Sequence, residues 1–105
     1  MESLFNMINT RLFGDKLPDC TIILFNGSDY LTLKKMGVNC LIDGLCTHDN
    51  KSWIIGIDKN LTGIDYFNTL VHEMIHVWQW ETYRKMNHGT SFKTKCLKAY
   101  EEFYL

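Results

Sequence analysis

His72-Glu73-Met74-Ile75-His76 is the segment around which this chain of 105 residues is built, and His88 follows it twelve residues later. Two histidines four positions apart on an α-helix project from the same face, roughly 6 Å apart along the helix axis. Both imidazoles can therefore bind one metal ion. Glu73 lies between them in sequence and turns partly toward the same face.

This pattern of residue types is typical of metal-assisted hydrolysis. A catalytic zinc ion takes three protein ligands and a water, and it lowers the pKa of that water from about 15.7 to about 7. Glu73 is placed to accept the proton, and the metal can polarise a carbonyl, so the pattern suits cleavage of peptide bonds. Apolar neighbours on both sides, Leu70-Val71 and Val77-Trp78, indicate a buried segment in which polar side chains need bonds or ligation.

The third ligand requires the chain to turn back toward the two histidines. We predict a helix from about Asp65, its N-cap, to Tyr83 or Arg84. Asn87-His88-Gly89 then supplies a turn, since Asn and Gly tolerate left-handed conformations, and Thr90 or Ser91 caps the next helix. His88 would then face back along the first helix.

Three carboxylates compete with His88 for the third position. Glu81 lies about 140° around the helix from His76, which is a poor angle for the same ion. Glu101 and Glu102 would need the last helix to fold back at mid-length. We therefore predict His72, His76 and His88 as the metal ligands.

The sequence resembles the SprT-like, or Spartan-type, zinc metallopeptidases. Their signature is an HExxH helix followed by a His-Gly-x-x-Phe segment, and this chain has Leu70 to His76, His88-Gly89 and Phe92-Lys93. Weaker similarity covers most of the remaining chain, at Asn9, Phe13, Gly14, Leu17-Pro18, Gly37 to Cys40 and Ile55 to Leu61. Because the sequence ends at Leu105, we expect a minimal form without the zinc ribbon that many members carry.

The resemblance implies roles for four residues of this chain. It implies that His72, His76 and His88 hold one zinc ion and that Glu73 is the general base. It also implies a protease, which in some members acts on proteins bound or crosslinked to DNA. We expect an electrophilic group to stabilise the developing oxyanion, with His48, Tyr83 and Arg84 as the candidates.

Composition predicts one globular domain spanning residues 1–105, with 46% hydrophobic residues. The formal charge of −1 gives no global reason to expect a nucleic acid or an anionic membrane as partner. Without a spanning segment or a signal-peptide pattern, we expect a cytoplasmic monomer that does not bind membranes. The four cysteines lack close pairing and are expected to be reduced, with a zinc site at Cys46 and His48 as the less favoured alternative.

The patterning predicts an α+β, zincin-like fold. Helical spacing predicts an N-terminal helix from Ser3 to about Phe13 that stops at Gly14, and a C-terminal helix from about Ser91 to Phe103. The expected three-stranded antiparallel sheet has strands at Cys20–Phe25, Val38–Ile42 and Trp53–Ile57, with a connection from Cys46 to Lys51. Phe67, Leu70 or Val71, Met74 and Trp78 should face this sheet, and strand Trp53–Ile57 could offer an edge to an extended substrate.

Charge is uneven beside the predicted site. Between residues 84 and 98 there are five basic residues and no acidic one: Arg84, Lys85, Lys93, Lys95 and Lys98. They predict either a solvated helix face or a local surface for DNA or an acidic protein. Two other functions follow as alternatives, a binding module in which zinc is only a structural clamp and a nucleic-acid adaptor using this face. Trp78, Trp80 and Tyr83 are candidates for a substrate cleft or for core packing.

Overall fold

The computed structural model describes residues 3–26, 43–48 and 52–105, and within these ranges the chain is α+β. The described part contains three helices and one three-stranded sheet. In chain order the elements are α1 (Leu4–Phe13), β1 (Cys20–Phe25), β2 (Gly44–His48), β3 (Trp53–Asp58), α2 (Gly63–Tyr83) and α3 (Thr90–Tyr104). The predicted strand Val38–Ile42 lies outside the described residues.

The sheet is mixed, so the predicted antiparallel arrangement is wrong. Its strand order is β1-β3-β2; β2 runs antiparallel to β3, whereas β1 runs parallel to it, with Cys20 opposite Trp53. Between Phe25 and Trp53 the sequence has 27 residues, more than the dozen or so that a connection between parallel strands needs. Alternating apolar residues identify a strand but do not determine its direction.

Two further expectations about the sheet are corrected. Residues Gly44–His48 form strand β2, although the prediction assigned the chain from Cys46 onward to a connection. Strand β3 lies in the centre and pairs on both sides. Its backbone groups are therefore engaged, which rules out the proposed pairing of a substrate with this strand.

Helix α2 runs through the centre of the molecule. Leu70 and Met74 are fully buried, as expected for residues four apart on a face that packs inward. Phe67 contacts the rings of Phe103 and Tyr104 and so packs against α3. Trp78, also expected to face the sheet, is only partly buried and has Lys95 of α3 over its ring.

Local capping explains where α1 begins and ends. The Ser3 hydroxyl accepts a hydrogen bond from the Asn6 backbone N–H, and Gly14 closes the helix in the left-handed conformation with φ of 60°. The buried Asn9 side chain then fixes the following connection. Its amide donates to the Leu17 carbonyl, and its side-chain oxygen accepts from the Leu17 N–H.

Both predicted N-caps of the later helices are displaced. Thr62, not Asp65, is the N-cap of α2, and its carbonyl accepts from the Asp65 N–H, which puts Asp65 in the first turn near the positive end of the helix dipole. Gly89 is the N-cap of α3, because its carbonyl already accepts from the Lys93 N–H. No described helix has both the length and the apolar character needed to cross a bilayer.

Gly44 allows β2 to approach α2 closely, and this predicts a defined stability effect. A Cβ atom at position 44 would lie 2.6 Å from Thr69 Cγ2 and 3.3 Å from Glu73 Cγ. We expect Gly44→Ala to reduce the free energy of unfolding by about 1–3 kcal/mol, measured by urea denaturation. Adding Thr69→Ser removes the clashing methyl group and should recover part of the loss. Equal stability of Gly44→Ala and wild type would contradict this packing.

Candidate metal centre

Three histidine side chains converge beside α2. His72 and His76 project from one face of the helix, and His88 reaches them from the turn that follows it. Their Nε2 atoms are 3.2 Å apart for His76 and His72, 3.2 Å for His76 and His88, and 3.3 Å for His88 and His72. Helix α2 ends at Tyr83 and Arg84 closes it in the left-handed conformation, so the predicted reversal is confirmed.

These spacings fit a tetrahedral metal site. Two nitrogens bonded to zinc at about 2.0–2.1 Å and separated by the tetrahedral angle lie about 3.3–3.4 Å from each other. Hydrogen bonds account poorly for the arrangement, because a neutral imidazole carries one proton and three mutually adjacent nitrogens cannot all be paired by it. The donor set of three imidazoles is one that zinc accepts.

Phe92 supplies the apolar wall of the cluster. Its ring stacks on His76 with centroids 4.9 Å apart and meets the rings of His72 and His88 at 4.9 Å and 4.8 Å. Phe92 lies on α3 four residues after His88, so the same helix that follows the turn also fixes the three rings from behind. Such packing restricts ring rotation and orients the nitrogens.

Glu73 is buried next to the histidines. Its carboxylate Oε2 lies 4.0 Å from His72 Nε2, and only 7% of the residue is exposed. Burial raises the pKa of Glu73 to about 7, while a hydrogen bond with the Cys46 thiol opposes the rise. A carboxyl group with this pKa can both take up and release a proton near neutrality.

Burial has the opposite effect on two of the histidines. Burial, together with the neighbouring His76 and His88, lowers the pKa of His72 to about 4. Burial also lowers the pKa of His76, against a raising effect of its hydrogen bond to Gln79. Both imidazoles are therefore neutral at pH 7, which is the form that binds metals.

A comparison with known families identifies the chain. The sequence profile of the SprT-like family matches residues 1–104, nearly the whole length. The chain belongs to the SprT-like family. No curated protein and no solved structure gives a significant match. The resemblance noted from the HExxH and His-Gly-x-x-Phe segments is thus confirmed at the level of the family.

Two of the three carboxylates considered as alternative ligands make other contacts in this SprT-like chain. Glu81 accepts a hydrogen bond from Trp53 Nε1 at 2.9 Å, and Glu102 pairs with Arg11 at 2.8 Å. Cys46 and His48 belong to no group of three or more potential metal ligands among the described residues, where the histidine trio is the one such group. Three cysteines, Cys20, Cys46 and Cys96, are free thiols, and Cys40 lies outside the described residues.

The candidates for oxyanion stabilisation occupy different places. The ring of His48 packs against Trp53 and Trp80, with centroids 4.5 Å and 5.1 Å apart. Tyr83 and Arg84 lie at the end of α2, where Arg84 approaches Glu81 at 4.0 Å. The choice among the three stays a prediction.

The sequence reasoning missed Gln79. This residue is 1% exposed, and its side-chain oxygen lies 2.8 Å from His76 Nδ1. No metal-site motif includes it, but a signal was present, since Gln79 follows His76 by three positions in an apolar run and so lies on the same helix face.

Substitution of each cluster histidine tests the metal centre. We expect wild-type protein purified without chelator to hold about one zinc per chain, measured by elemental analysis. His72→Ala, His76→Ala and His88→Ala should each lose most of it because two imidazoles remain. His48→Phe, which removes a histidine but keeps a ring between Trp53 and Trp80, should retain the metal. Unchanged zinc content in the cluster variants would contradict this assignment.

Proposed function

We propose that this SprT-like chain is a zinc-dependent peptidase with a zincin-like fold. The observation that supports it best is the convergence of three Nε2 atoms to within 3.3 Å beside a buried carboxylate. In this proposal His72, His76 and His88 hold the zinc ion and Glu73 is the general base. Membership of the SprT-like family adds independent support.

Each residue has a defined task in the proposed reaction. Zinc held by His72, His76 and His88 would lower the pKa of a water and polarise the scissile carbonyl. Glu73 accepts a proton on its carboxylate from the attacking water, and the water oxygen bonds to the carbonyl carbon. Glu73 then delivers that proton to the amide nitrogen as the carbon–nitrogen bond breaks. The products are a free amine and a carboxyl group that retains the second proton of the water until it ionises. The rings packed by Phe92 hold the ligands in place during both steps.

Glu73→Gln separates catalysis from metal binding. We expect this variant to keep its zinc while the rate of casein cleavage falls about 10²- to 10⁴-fold, because the glutamine amide cannot accept the proton. Glu81→Gln is the matched control, because Glu81 lies on the same helix but pairs with Trp53; its activity should stay near wild type. Full activity in Glu73→Gln would remove Glu73 from the mechanism. Zinc binding without any Glu73-dependent turnover would instead favour a structural clamp in a binding module.

A cavity beside the centre favours a second function, binding of single-stranded DNA. It has a volume of about 620 Å³ and lies between the end of α2 and the start of α3. Trp78 and Tyr83 line it together with Lys85, Lys95 and Lys98, three of the five basic residues noted in the sequence. Aromatic rings that stack on bases and lysines that neutralise phosphates are the usual components of such surfaces. DNA bound here would bring DNA-associated proteins to the peptidase.

Salt dependence tests this surface. We expect wild type to bind a labelled single-stranded oligonucleotide with an affinity that falls steeply with salt, measured by fluorescence anisotropy. Lys85→Glu with Lys98→Glu should reduce the slope of log affinity against log salt by about 0.7 for each lysine. Lys59→Glu, an exposed lysine after β3, is the control. A slope that is unchanged in the double variant would exclude the cavity as the DNA site.

A further inference from the structure

We propose that Gln79 is a positioning residue that fixes both His76 and the turn carrying His88 for metal binding. The inference rests on the proposed zinc site and deepens it. Gln79 is 1% exposed, and a buried side-chain amide is costly unless its polar atoms are bonded. Its amide contacts three separate parts of the chain, at His76, Asn87 and Ser91.

The orientation of the amide follows from its partners. The Asn87 backbone N–H can only donate, and it lies 3.3 Å from Gln79 Oε1, so the oxygen must be on that side. On the other side, Gln79 Nε2 donates to Ser91 Oγ at 3.0 Å. The Asn87 side-chain oxygen is a longer acceptor at 3.5 Å. The hydrogen-bond partners therefore determine which end of the amide is the oxygen and which is the nitrogen.

This orientation determines the tautomer of His76. Gln79 Oε1 lies 2.8 Å from His76 Nδ1 and is an acceptor, so Nδ1 must carry the proton. His76 Nε2 is then unprotonated, and its lone pair points to the nitrogens of His72 and His88, 3.2 Å away from each. A hydrogen bond from the second ring nitrogen is the usual way in which proteins orient a metal-binding histidine.

The same amide ties the turn to the helix. Gln79 accepts from the Asn87 N–H one residue before His88 and donates to Ser91 in the first turn of α3. The Asn87 side-chain oxygen in turn accepts from the Gly89 N–H at 2.9 Å, on the other side of His88. His88 is exposed and lies on a connection, and its ring meets that of Phe92. Gln79 adds a link between the backbone next to His88 and the ring of His76.

Three proteins test the proposal against a purely structural role. Gln79→Met keeps the length of the side chain but loses the strong acceptor, and Gln79→Glu keeps an acceptor for both His76 and Asn87. Asn9→Ala is the matched control, since it removes another buried amide that fixes a connection, at Leu17 and away from the histidines. Zinc affinity is measured by competition with a chromophoric chelator. The His76 tautomer is read in the metal-free protein from imidazole nitrogen chemical shifts.

The expected results differ among the variants. Gln79→Met should weaken zinc binding by about 10- to 100-fold and lose the preference for a proton on Nδ1. Gln79→Glu should bind zinc at least as tightly as wild type and keep the Nδ1–H tautomer. Asn9→Ala should lower the unfolding midpoint without changing the zinc affinity of the folded protein.

Three outcomes would overturn the proposal, and they separate failure of the Gln79 role from failure of the zinc site. If wild type binds zinc and Gln79→Met retains both wild-type affinity and the Nδ1–H tautomer, Gln79 is not a positioning residue and the zinc site stands. Equal losses of affinity in Gln79→Met and Asn9→Ala would lead to the same conclusion, since both would then reflect stability. If wild type binds no zinc, the proposed function and this inference both fall.

Discussion

Burial of polar side chains on the central helix is the constraint on which the rest of the structure depends. Glu73, His76 and Gln79 are each at least 92% removed from solvent, on a helix whose other buried residues are apolar. Each polar group in that position needs a partner, and none of the buried side-chain polar atoms described lacks a hydrogen bond. Glu73 bonds the Cys46 thiol of β2, and Gln79 bonds His76, the turn before α3 and the Ser91 hydroxyl. The buried polar groups of α2 therefore constrain the positions of both β2 and α3.

Much of this arrangement could be predicted because the signals are local. The α2 segment has two histidines at a helical spacing, and Asn87 and Gly89 are typical of a turn. These residue types are enough to predict the reversal that brings His88 back to the helix. Strand β1 was predicted with its observed bounds, Cys20–Phe25, because an apolar, β-rich run is followed by polar turn residues. In each of these cases, neighbours in sequence determine the structure.

The features that were missed depend on contacts between distant parts of the chain. Strand direction depends on how β1 reaches β3 across the intervening segment, and β-rich composition says nothing about that path. Strand β2 includes Gly44, and a glycine in a sequence usually argues against a strand. In the fold this position requires glycine because the Thr69 side chain leaves no room for a Cβ atom. Gln79 was overlooked because an amide inside an apolar run has no motif, and its importance appears only when Asn87 and Ser91 are brought to it.

The electrostatics of the centre follow from the same burial. Removal from water disfavours the charged form of every group, so it lowers the pKa of His72 and His76 and raises that of Glu73. The histidines are therefore held in the neutral form, which is the form that binds a metal. For Glu73 the effect alone would leave the carboxyl divided between its protonated and ionised forms near neutrality, and only the ionised form can accept a proton. A bound divalent cation would reverse that effect, because its charge favours the carboxylate. The centre is thus arranged so that metal binding itself would bring Glu73 into the basic form.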